Sequence, residues 1–549
     1  METPLAAPSS IAGRAYDLGV RWREDLLIGS VLFLAYLALS AYLLFAKDLQ
    51  PGDALARMVS AYLVFRGNQT KLATIGFVWP PIPTLLILPF ALIPTLVYTF
   101  LAVTIVSALF TALACLLVGR IAAACGVPTG WRRLLVVLFA TNPLIVVFAV
   151  NGYSEAILIA LLLAGVYWLI RFWQAERNSS MIMAGILFSL LPLVRYEMAL
   201  VTAGTGLVLI VHDWWLHARR IPPEEFRFLL EGRVLAYSSL AIYPTFLWVL
   251  ANWQIMGNPL YFLANDRSAL SVAEAQITGI DTHSLAAFEL AFRLWVAAFP
   301  AGLLASLLAV AVGVRRRSAF LVGLALLVFI VPLLQGLLLS KRSTVPLVRY
   351  FITVIPFGFA VALAALSPVL LGQREASGRL TRRHHALLAA FAILFLASNV
   401  STGVLLKTSE RYQTVEHLTW IAMTTESKGN HPHITDALAV GRVLAQIVPA
   451  GSKVLFDEYG FGYAVVLGAR EAKLFVDHTH PQFKEALHSP QEFVDYVLVR
   501  NLEGAGRLNE VNRAHPSLYE LGAPWAEAVE GLPPSIDGWR LYQVRRARQ

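Results

Sequence analysis

Charged residues are scarce in this sequence. Asp, Glu, Lys and Arg make up only 14% of its 549 residues, whereas 57% are hydrophobic and the mean hydropathy is +0.63. Soluble globular proteins carry about 25% charged residues, so the sequence predicts a polytopic membrane protein. Cysteine is scarce too: Cys115 and Cys125 lie in or next to one apolar segment, and no disulfide framework is expected.

The sequence also lacks the pattern of a cleaved signal peptide. The first 24 residues carry Arg14, Arg21 and Arg23, without a short apolar core and a small-residue cleavage site. We interpret residues 1–24 as a cytoplasmic tail. The formal net charge of +9 is explained by the Arg and Lys that collect in cytoplasmic loops, so no nucleic-acid partner is predicted. The expected location is a membrane, most simply a bacterial plasma membrane.

Apolar runs long enough to cross a bilayer, ~20 residues each, recur along the chain. The stretch 181–212 differs from the others, because Arg195, Tyr196 and Glu197 stand together in its middle. Ionisable residues at such depth are functional-site candidates, although an internal ion pair is the alternative. The uninterrupted runs are 25–46, 95–118, 133–150, 154–172, 235–252, 285–313, 318–340, 346–371 and 386–405.

The positive-inside rule decides how 181–212 crosses the membrane. With the N-terminus inside, a single crossing would place Arg219 to Arg233 and the triplet Arg315 to Arg317 outside. Two short helices, 181–194 and 197–212, return both clusters to the cytoplasm. Irregular backbone between them is tolerated if it is buried in protein or lines a cavity. The prediction is about eleven crossings.

Residues 406–549 then lie outside and have a different composition. Strand-like runs at 453–456, 472–476, 496–499 and 539–544 alternate with helical patterns at 434–448 and 481–487. This alternation predicts a small α/β domain. The fold class is therefore a helical membrane domain over 25–405, with juxtamembrane helices at 47–93, followed by an extracytoplasmic α/β domain.

A polar segment between Lys47 and Lys71 interrupts the apolar runs on the predicted outer face. Asp53 follows Pro51-Gly52 at the start of an apparent amphipathic helix, with Asp48 and Arg57 as the nearest alternatives for a functional charge. A cap or first-turn acid is the simpler reading of Asp53. Glu155, at the start of its own helix, has the same alternative.

Three cations, Lys341, Arg342 and Arg349, break the positive-inside tendency on a later outer loop. Arg binds phosphate through bidentate hydrogen bonds and Lys binds it as a point charge. A lipid-phosphate donor would require such a cluster, whereas attraction to headgroups or snorkelling is the alternative.

Together these residues resemble the GT-C superfamily of integral-membrane glycosyltransferases, which includes protein O-mannosyltransferases and bacterial aminoarabinose transferases. The likeness rests on Pro51-Gly52-Asp53 through Arg57, on Trp79-Pro80-Pro81-Ile82-Pro83, on Asn151 to Ala156 with Glu155, and on Arg349-Tyr350 through Pro356. It implies that Asp53 is catalytic or contacts the acceptor. The second acid is Glu155 where an Asp is usual, so a catalytic, metal-binding or capping role stays open.

The resemblance implies transfer of a hexosyl or pentosyl group from a polyprenyl-phosphate donor to a lipid, glycan or protein acceptor, with inversion. Asp53 and Glu155 are the candidate catalytic residues. No cofactor is assigned, although a divalent metal stays open, and His478 with His480 is a weak metal signal. A transporter or lipid-linked sugar flippase and a non-catalytic scaffold are the rival interpretations. The candidate substrate-binding residues are Arg57, Arg195, Tyr196, Glu197, Lys341, Arg342, Arg349 and Tyr350.

Overall fold

A computed structural model describes residues 11–68, 71–264, 284–367, 381–408, 414–529 and 538–545. Within these ranges eight helices are long and apolar enough to span a membrane, or up to ten spans if each of two bent helix pairs counts as one. The predicted polytopic helical fold is therefore confirmed. The predicted count of eleven needs one further span in the described residues, and two shorter apolar helices are present, Pro81–Ala91 and Asn178–Leu190.

The membrane part consists almost entirely of helices. Short 3₁₀ turns at Leu72–Ile75 and Val348–Phe351 interrupt it. In chain order its α-helices are α1 (Ile11–Ala46), α2 (Ala54–Arg66), α3 (Pro81–Ala91), α4 (Pro94–Tyr98), α5 (Leu101–Ala124), α6 (Thr129–Ala140), α7 (Pro143–Val150), α8 (Glu155–Ala175), α9 (Asn178–Leu190), α10 (Met198–His217), α11 (Pro223–Met256), α12 (Tyr261–Ala264), α13 (Ser284–Ala298), α14 (Pro300–Arg315), α15 (Ala319–Leu327), α16 (Ile330–Ser340), α17 (Val354–Ala365) and α18 (Arg382–Thr408).

The first helix begins at Ile11, so it takes in most of the segment predicted as a tail. Two predicted single crossings are sharply bent. The run 133–150 divides into α6 and α7 at 62°, and 285–313 divides into α13 and α14 at 97°. Pro143 and Pro300 start the second helix of each pair, where proline's missing N–H costs nothing.

The predicted interruption of 181–212 is present. Helix α9 ends at Leu190, residues 191–197 form turns, and α10 begins at Met198. The two helices are tied across the break, because Thr202 Oγ1 donates to the Phe188 carbonyl at 2.8 Å. The irregular backbone is thus embedded in protein, and it carries Arg195 and Glu197.

Helix α2 is not the amphipathic surface helix that the sequence suggests. Nine of its 13 residues are buried, including the unbroken run Met58–Val64. It packs against α3 and α5 on one side and against the C-terminal domain on the other. This packing on two sides fixes the position of the residues at the N-terminus of the helix.

The C-terminal region is the predicted α/β domain. Its strands are β1 (Val454–Leu455), β2 (Phe475–Val476), β3 (Tyr496–Arg500), β4 (Ala526–Ala528) and β5 (Trp539–Val544), and they form one sheet in the order β2-β1-β3-β5-β4. Strand β1 pairs in parallel with β2 and β3, whereas β5 is antiparallel to both β3 and β4. Four strands match predicted runs, and β4 was not predicted. The helices of this region are α19 (Thr414–Thr424), α20 (Pro432–Ile447), α21 (Tyr463–Ala469), α22 (Phe483–His488), α23 (Pro490–Phe493), α24 (Glu510–Ala514) and α25 (Leu518–Leu521).

The C-terminal domain is hydrogen-bonded directly to the loop that precedes α2. Backbone bonds join Gly429 N to Lys47 O at 2.7 Å and Gln50 N to Gly429 O at 3.2 Å. The Gln50 side chain donates to Thr435 Oγ1 at 2.9 Å and accepts from the His431 N–H at 2.8 Å. These hydrogen bonds fix the position of the C-terminal domain next to the start of α2.

Candidate functional site

A cavity of about 670 Å³ lies between the start of α2, the turn before α17 and the C-terminal domain. The membrane part contributes apolar and aromatic groups together with charged ones. The C-terminal domain contributes the loops that follow β1 and β2. The residues that line it include Gly52, Asp53, Arg57, Arg349, Tyr350, Tyr459, Gly460, Phe461, His478, Thr479, His480 and Lys484.

Asp53 occupies the N-cap position of α2, yet its side chain makes no capping hydrogen bond within the described residues. Its carboxylate instead meets Arg349, with Oδ2 2.7 Å from Nη2, and 61% of the side chain is exposed to the cavity. Desolvation inside this recess raises the pKa of Asp53, but Arg349, aided by Arg57, outweighs it, so the pKa lies below its ordinary value. The capping alternative therefore does not describe this acid.

Arg349 is held in the 3₁₀ turn Val348–Phe351. Its guanidinium carbon lies 5.4 Å from the ring centre of Tyr153 and 5.7 Å from that of Tyr350. These aromatic faces attract the cation and restrict its position. Among the described residues its Nε atom is buried without a hydrogen-bond partner, so the guanidinium retains a donor beyond the bond to Asp53.

Arg57 is one turn along α2 from Asp53 and lines the same cavity. Its Nη1 is also buried, with no hydrogen-bond partner in the described part of the chain. Burial lowers the pKa of Arg57 to about 10, although Glu155 acts in the opposite direction. A buried guanidinium with an unused donor is costly unless an anion or another acceptor completes it.

Glu155 and Glu197 both hold Arg195, which lies in the break between α9 and α10. The Glu155 carboxylate is 2.5 Å from Nη1, and that of Glu197 is 2.6 Å from Nε. Glu155 is 4% exposed, and in the described part of the chain it is not among the residues that line the cavity. Glu155 is thus buried against Arg195, and its catalytic role stays a prediction. Arg195 in turn lies 4.8 Å from the ring centre of Tyr350.

Five of the predicted binding residues are not among the described residues that line the cavity: Arg195, Tyr196, Glu197, Lys341 and Arg342. Tyr196 donates to the Val78 carbonyl at 3.2 Å and accepts from Trp248 Nε1 at 3.2 Å, so it fixes the loop before α3. Lys341 and Arg342 are exposed where α16 ends. Of the cluster of three cations, Arg349 alone is brought to Asp53 in the described residues.

The structure adds site residues that sequence reasoning missed. The Tyr153 hydroxyl lies 3.4 Å from the Asp53 backbone N–H, and burial raises the pKa of Tyr153 well above its ordinary value. Glu416 in α19 is 3% exposed, and burial raises its pKa to about 7 against the opposing effect of Arg349. Tyr153 stood in a segment already singled out, but no local pattern marked Glu416.

Two histidines of the C-terminal domain, which gave a weak metal signal in the sequence, lie in the wall of the cavity. His478 and His480 both line the cavity. Across the described ranges no group of three or more His, Cys, Asp and Glu side chains is arranged to hold a metal ion.

Comparison with solved structures assigns the architecture. ArnT from Cupriavidus metallidurans in the apo state superposes with a TM-score of 0.53 over 95% of this chain and 99% of that one, at 14% identity. The chain has the ArnT fold. The GT-C resemblance expected from the sequence is thereby confirmed at the level of fold.

Two further structures are similar at lower TM-scores. ArnT bound to undecaprenyl phosphate gives 0.48 over 95% of this chain and 99% of that one, at 13% identity. The oligosaccharyltransferase of Archaeoglobus fulgidus in the apo form gives 0.47 over 86% and 69%, at 12% identity. No family profile and no curated protein matches the sequence.

Proposed function

We propose that this integral membrane protein is an inverting glycosyltransferase. It moves a sugar from a polyprenyl-phosphate donor to an acceptor at the outer face of a bacterial plasma membrane, with the N-terminus in the cytoplasm. One observation carries the proposal: two buried guanidinium groups with unused donors, Arg57 and Arg349, share a cavity with an accessible carboxylate, Asp53. The ArnT fold of the chain is compatible with it.

Arg349 and Arg57 would bind the donor phosphate. When the bond between the anomeric carbon and the phosphate oxygen breaks, negative charge develops on the phosphate. Fixed cations in a site poor in water stabilise such charge strongly and need no reorganisation. The phosphate is already a good leaving group, so the reaction needs no acid to protonate it.

Asp53 would face the acceptor nucleophile, either taking its proton or orienting it. Its lowered pKa keeps it ionised at neutral pH. Glu155 and Glu197 would not contact the substrate themselves. They would act through Arg195, which they hold against Tyr350. We assign them positioning roles.

Replacement of Asp53 by Asn tests the proposal. The variant keeps the shape of the side chain and loses its charge, and a positioned base contributes about 10²–10⁴-fold. We expect turnover of a polyprenyl-phosphate sugar to fall by about that factor while the purified protein still unfolds at a similar temperature. Asp48→Asn is the matched control, since Asp48 is exposed and pairs with Lys428, and it should stay near wild-type activity. Wild-type turnover by Asp53→Asn would remove Asp53 from the reaction.

The same assay separates the enzyme from a transporter or flippase. An enzyme consumes the donor in detergent without a gradient, because the chemistry needs only the site. A flippase moves the intact donor between the leaflets of a vesicle and leaves it unconsumed. Donor that remains intact in detergent but crosses vesicles would favour the transporter.

A further inference from the structure

A loop in which aromatic residues alternate with glycines follows strand β1 in the wall of the cavity. Its sequence is Tyr459-Gly460-Phe461-Gly462-Tyr463, and all three of its aromatic residues line the cavity. The chemistry proposed above uses none of them. Cavities that bind organic ligands combine aromatic walls with a few well-placed polar groups, so the loop is a candidate for ligand binding.

Phe461 is held in a backbone conformation that a bulky residue rarely adopts. Its φ is +70°, in the left-handed region where residues other than glycine are uncommon. Hydrogen bonds fix the backbone on both sides of it: Arg500 Nη1 donates to the Gly460 carbonyl, and the Ala464 N–H donates to the Phe461 carbonyl at 2.9 Å. Strained residues persist only where the surroundings hold them, and they are concentrated at functional sites. The loop thus holds the Phe461 ring in the cavity wall despite this strain.

Two imidazoles support the Phe461 ring from one side. The ring centres of His431 and His433 lie 4.8 Å and 6.3 Å from that of Phe461 and 5.5 Å from each other, so both lie on the same side of it. Phe461 is half-buried and lines the cavity. Part of a supported aromatic surface is therefore presented to a ligand in the cavity.

The supported ring is close to the start of α2. His431, which packs against Phe461, donates its backbone N–H to Gln50 Oε1 at 2.8 Å, and Asp53 follows three residues later at the N-cap of α2. Burial lowers the pKa of His431, whereas Asp53 raises it, so the charge of Asp53 reaches this imidazole. A ligand on Phe461 therefore lies near the carboxylate that would face the acceptor nucleophile.

Polar groups accompany the ring in the same wall. His480 and Lys484 line the cavity together with Phe461. Burial lowers the pKa of His480, which keeps the imidazole neutral at neutral pH. Its Nδ1 accepts from the Gln482 N–H at 3.2 Å, so the proton of the neutral ring is on Nε2, as a donor. A pyranose ring matches this wall, because it carries C–H groups on its faces and hydroxyls around its edge.

We propose that Phe461 is the platform on which a pyranose ring of the acceptor binds, so that the acceptor is a glycan rather than a protein or a simple lipid alcohol. This inference rests on the proposed function. The negative face of the aromatic ring attracts the C–H groups on one face of the sugar. His480 and Lys484 bind hydroxyls at its edge, and Asp53 faces the hydroxyl that receives the transferred sugar. A peptide hydroxyl or a lipid chain lacks this combination of an apolar ring face and a polar edge.

Binding of simple glycosides to the purified full-length protein tests this assignment without turnover. The probes are the methyl glycosides of glucose, galactose, mannose and N-acetylglucosamine, in a detergent that has no sugar headgroup. Sorbitol and N-acetylserine amide are the comparison probes, because they carry hydroxyls without a pyranose ring. We expect saturation-transfer NMR to show that at least one glycoside binds through the C–H protons of one ring face, and that neither comparison probe binds.

Two variants of Phe461 separate the aromatic face from apolar bulk. Phe461→Leu keeps an apolar side chain without a ring, and the dissociation constant of the bound glycoside should rise by about 10-fold. Phe461→Tyr keeps the ring and should stay within a few-fold of wild type. Phe493→Leu is the matched control: Phe493 is also a half-buried ring of this domain, but it is not among the described residues that line the cavity. Glycoside binding by this control should be unchanged.

Phe461→Asn keeps the test decisive if Phe461→Leu folds poorly. Asn adopts a positive φ more readily than Leu, so the strain of the backbone should decrease. The unfolding temperature of Phe461→Asn should therefore be no lower than that of Phe461→Leu, whereas glycoside binding should be weakened at least as much.

Several outcomes would overturn the inference. If the wild type binds none of the four glycosides, or binds them no better than Phe461→Leu does, the ring only packs within the domain. Equal weakening by Phe461→Leu and Phe493→Leu would attribute the effect to the fold. Binding of N-acetylserine amide through Phe461 would make the acceptor a protein.

Turnover assays distinguish the two sugars of the reaction. Phe461→Leu should raise the KM of the bound glycoside and leave the KM of the polyprenyl-phosphate donor unchanged. A rise in the donor KM alone would place the transferred sugar, and not the acceptor, on Phe461. Failure of the proposed function looks different, because the glycoside would then bind through Phe461 while no donor is consumed.

Discussion

At the scale of single residues, Arg349 joins the carboxylate of Asp53, two aromatic faces and the cavity. Lysine keeps the charge but lacks the planar fork that stacks and donates in two directions. A charge-assisted hydrogen bond contributes about 1.5–3 kcal/mol, so Arg349→Lys should lower kcat/KM for the donor by about 10- to 100-fold. Arg442→Lys, an exposed change on α20, is the control. Steady-state kinetics with both variants measure the difference, and equal values would show that position 349 needs only a charge.

Glu416 makes stability depend on pH. Burial raises its pKa from 4.5 to about 7, so between these values the folded protein binds more protons than the unfolded chain. Stability from this group is therefore full below about pH 4.5 and is lost as pH rises to about 7. Glu416→Gln should remove that loss, which is on the order of 3 kcal/mol. In detergent, the difference between the unfolding temperature of this variant and that of the wild type should rise in the variant's favour from pH 5 to pH 8. Glu426→Gln, at a fully exposed acid, should follow wild type, and parallel curves for all three proteins would contradict the assignment.

At the scale of elements, the start of α2 is fixed by close packing around Gly52. This residue has φ +42°, and a Cβ there would lie 2.5 Å from the Tyr153 hydroxyl and 2.9 Å from Val415 Cγ2. Gly52→Ala must therefore displace α2, Tyr153 or α19. We expect turnover to fall strongly, whereas the unfolding temperature should fall only by the amount that the strained backbone explains. Gly451→Ala is the matched control, because its φ is +86° but its Cβ would meet open space. Unfolding temperature and turnover separate the two effects: both variants carry a backbone cost of about 1–3 kcal/mol, and only the first should lose activity. Equal turnover by Gly52→Ala and Gly451→Ala would show that the close packing around Gly52 does not position the site.

The elements also show what sequence reasoning could reach. Charge placement located the break around Arg195, because a buried Arg and the positive-inside rule both constrain it. Hydropathy missed the bends of 62° and 97°, since it measures how apolar a segment is and not the direction of its axis. Strand β4, Ala526–Ala528, is short and largely exposed, so it has no alternating pattern to detect.

The candidate site was predictable only in part, because the sequence shows where charges lie but not which distant residues they meet. Asp53, Arg57 and Arg349 stood out because charges are rare near apolar segments. The pairing of Glu155 with Arg195, in contrast, joins residues 40 positions apart, and Glu416 reaches the site from a helix that begins the C-terminal domain. Such contacts arise from the packing of helices, which no short sequence window contains.

At the scale of the whole molecule, the site exists only where two parts of the chain meet. The membrane part supplies Asp53, Arg57 and Arg349, and the C-terminal domain supplies the opposite wall with His478. Gln50 is central to this junction: it is 8% exposed, and its amide both donates to Thr435 and accepts from the His431 N–H. Loss of Gln50 should therefore let the wall move away from the charges it faces.

Gln50→Ala tests this dependence. Two buried hydrogen bonds contribute about 1–3 kcal/mol together, so the variant should unfold at a lower temperature and become more sensitive to protease near residues 425–435. Turnover should fall further than this loss of stability predicts, because a displaced wall no longer encloses the cavity that holds Asp53, Arg57 and Arg349. Lys428→Gln is the matched control on the same junction: its ion pair with Asp48 is 65% and 51% exposed, and exposed pairs contribute about 0–1 kcal/mol. If Gln50→Ala loosens the domain and yet keeps wild-type turnover, the C-terminal wall is not part of the reacting site.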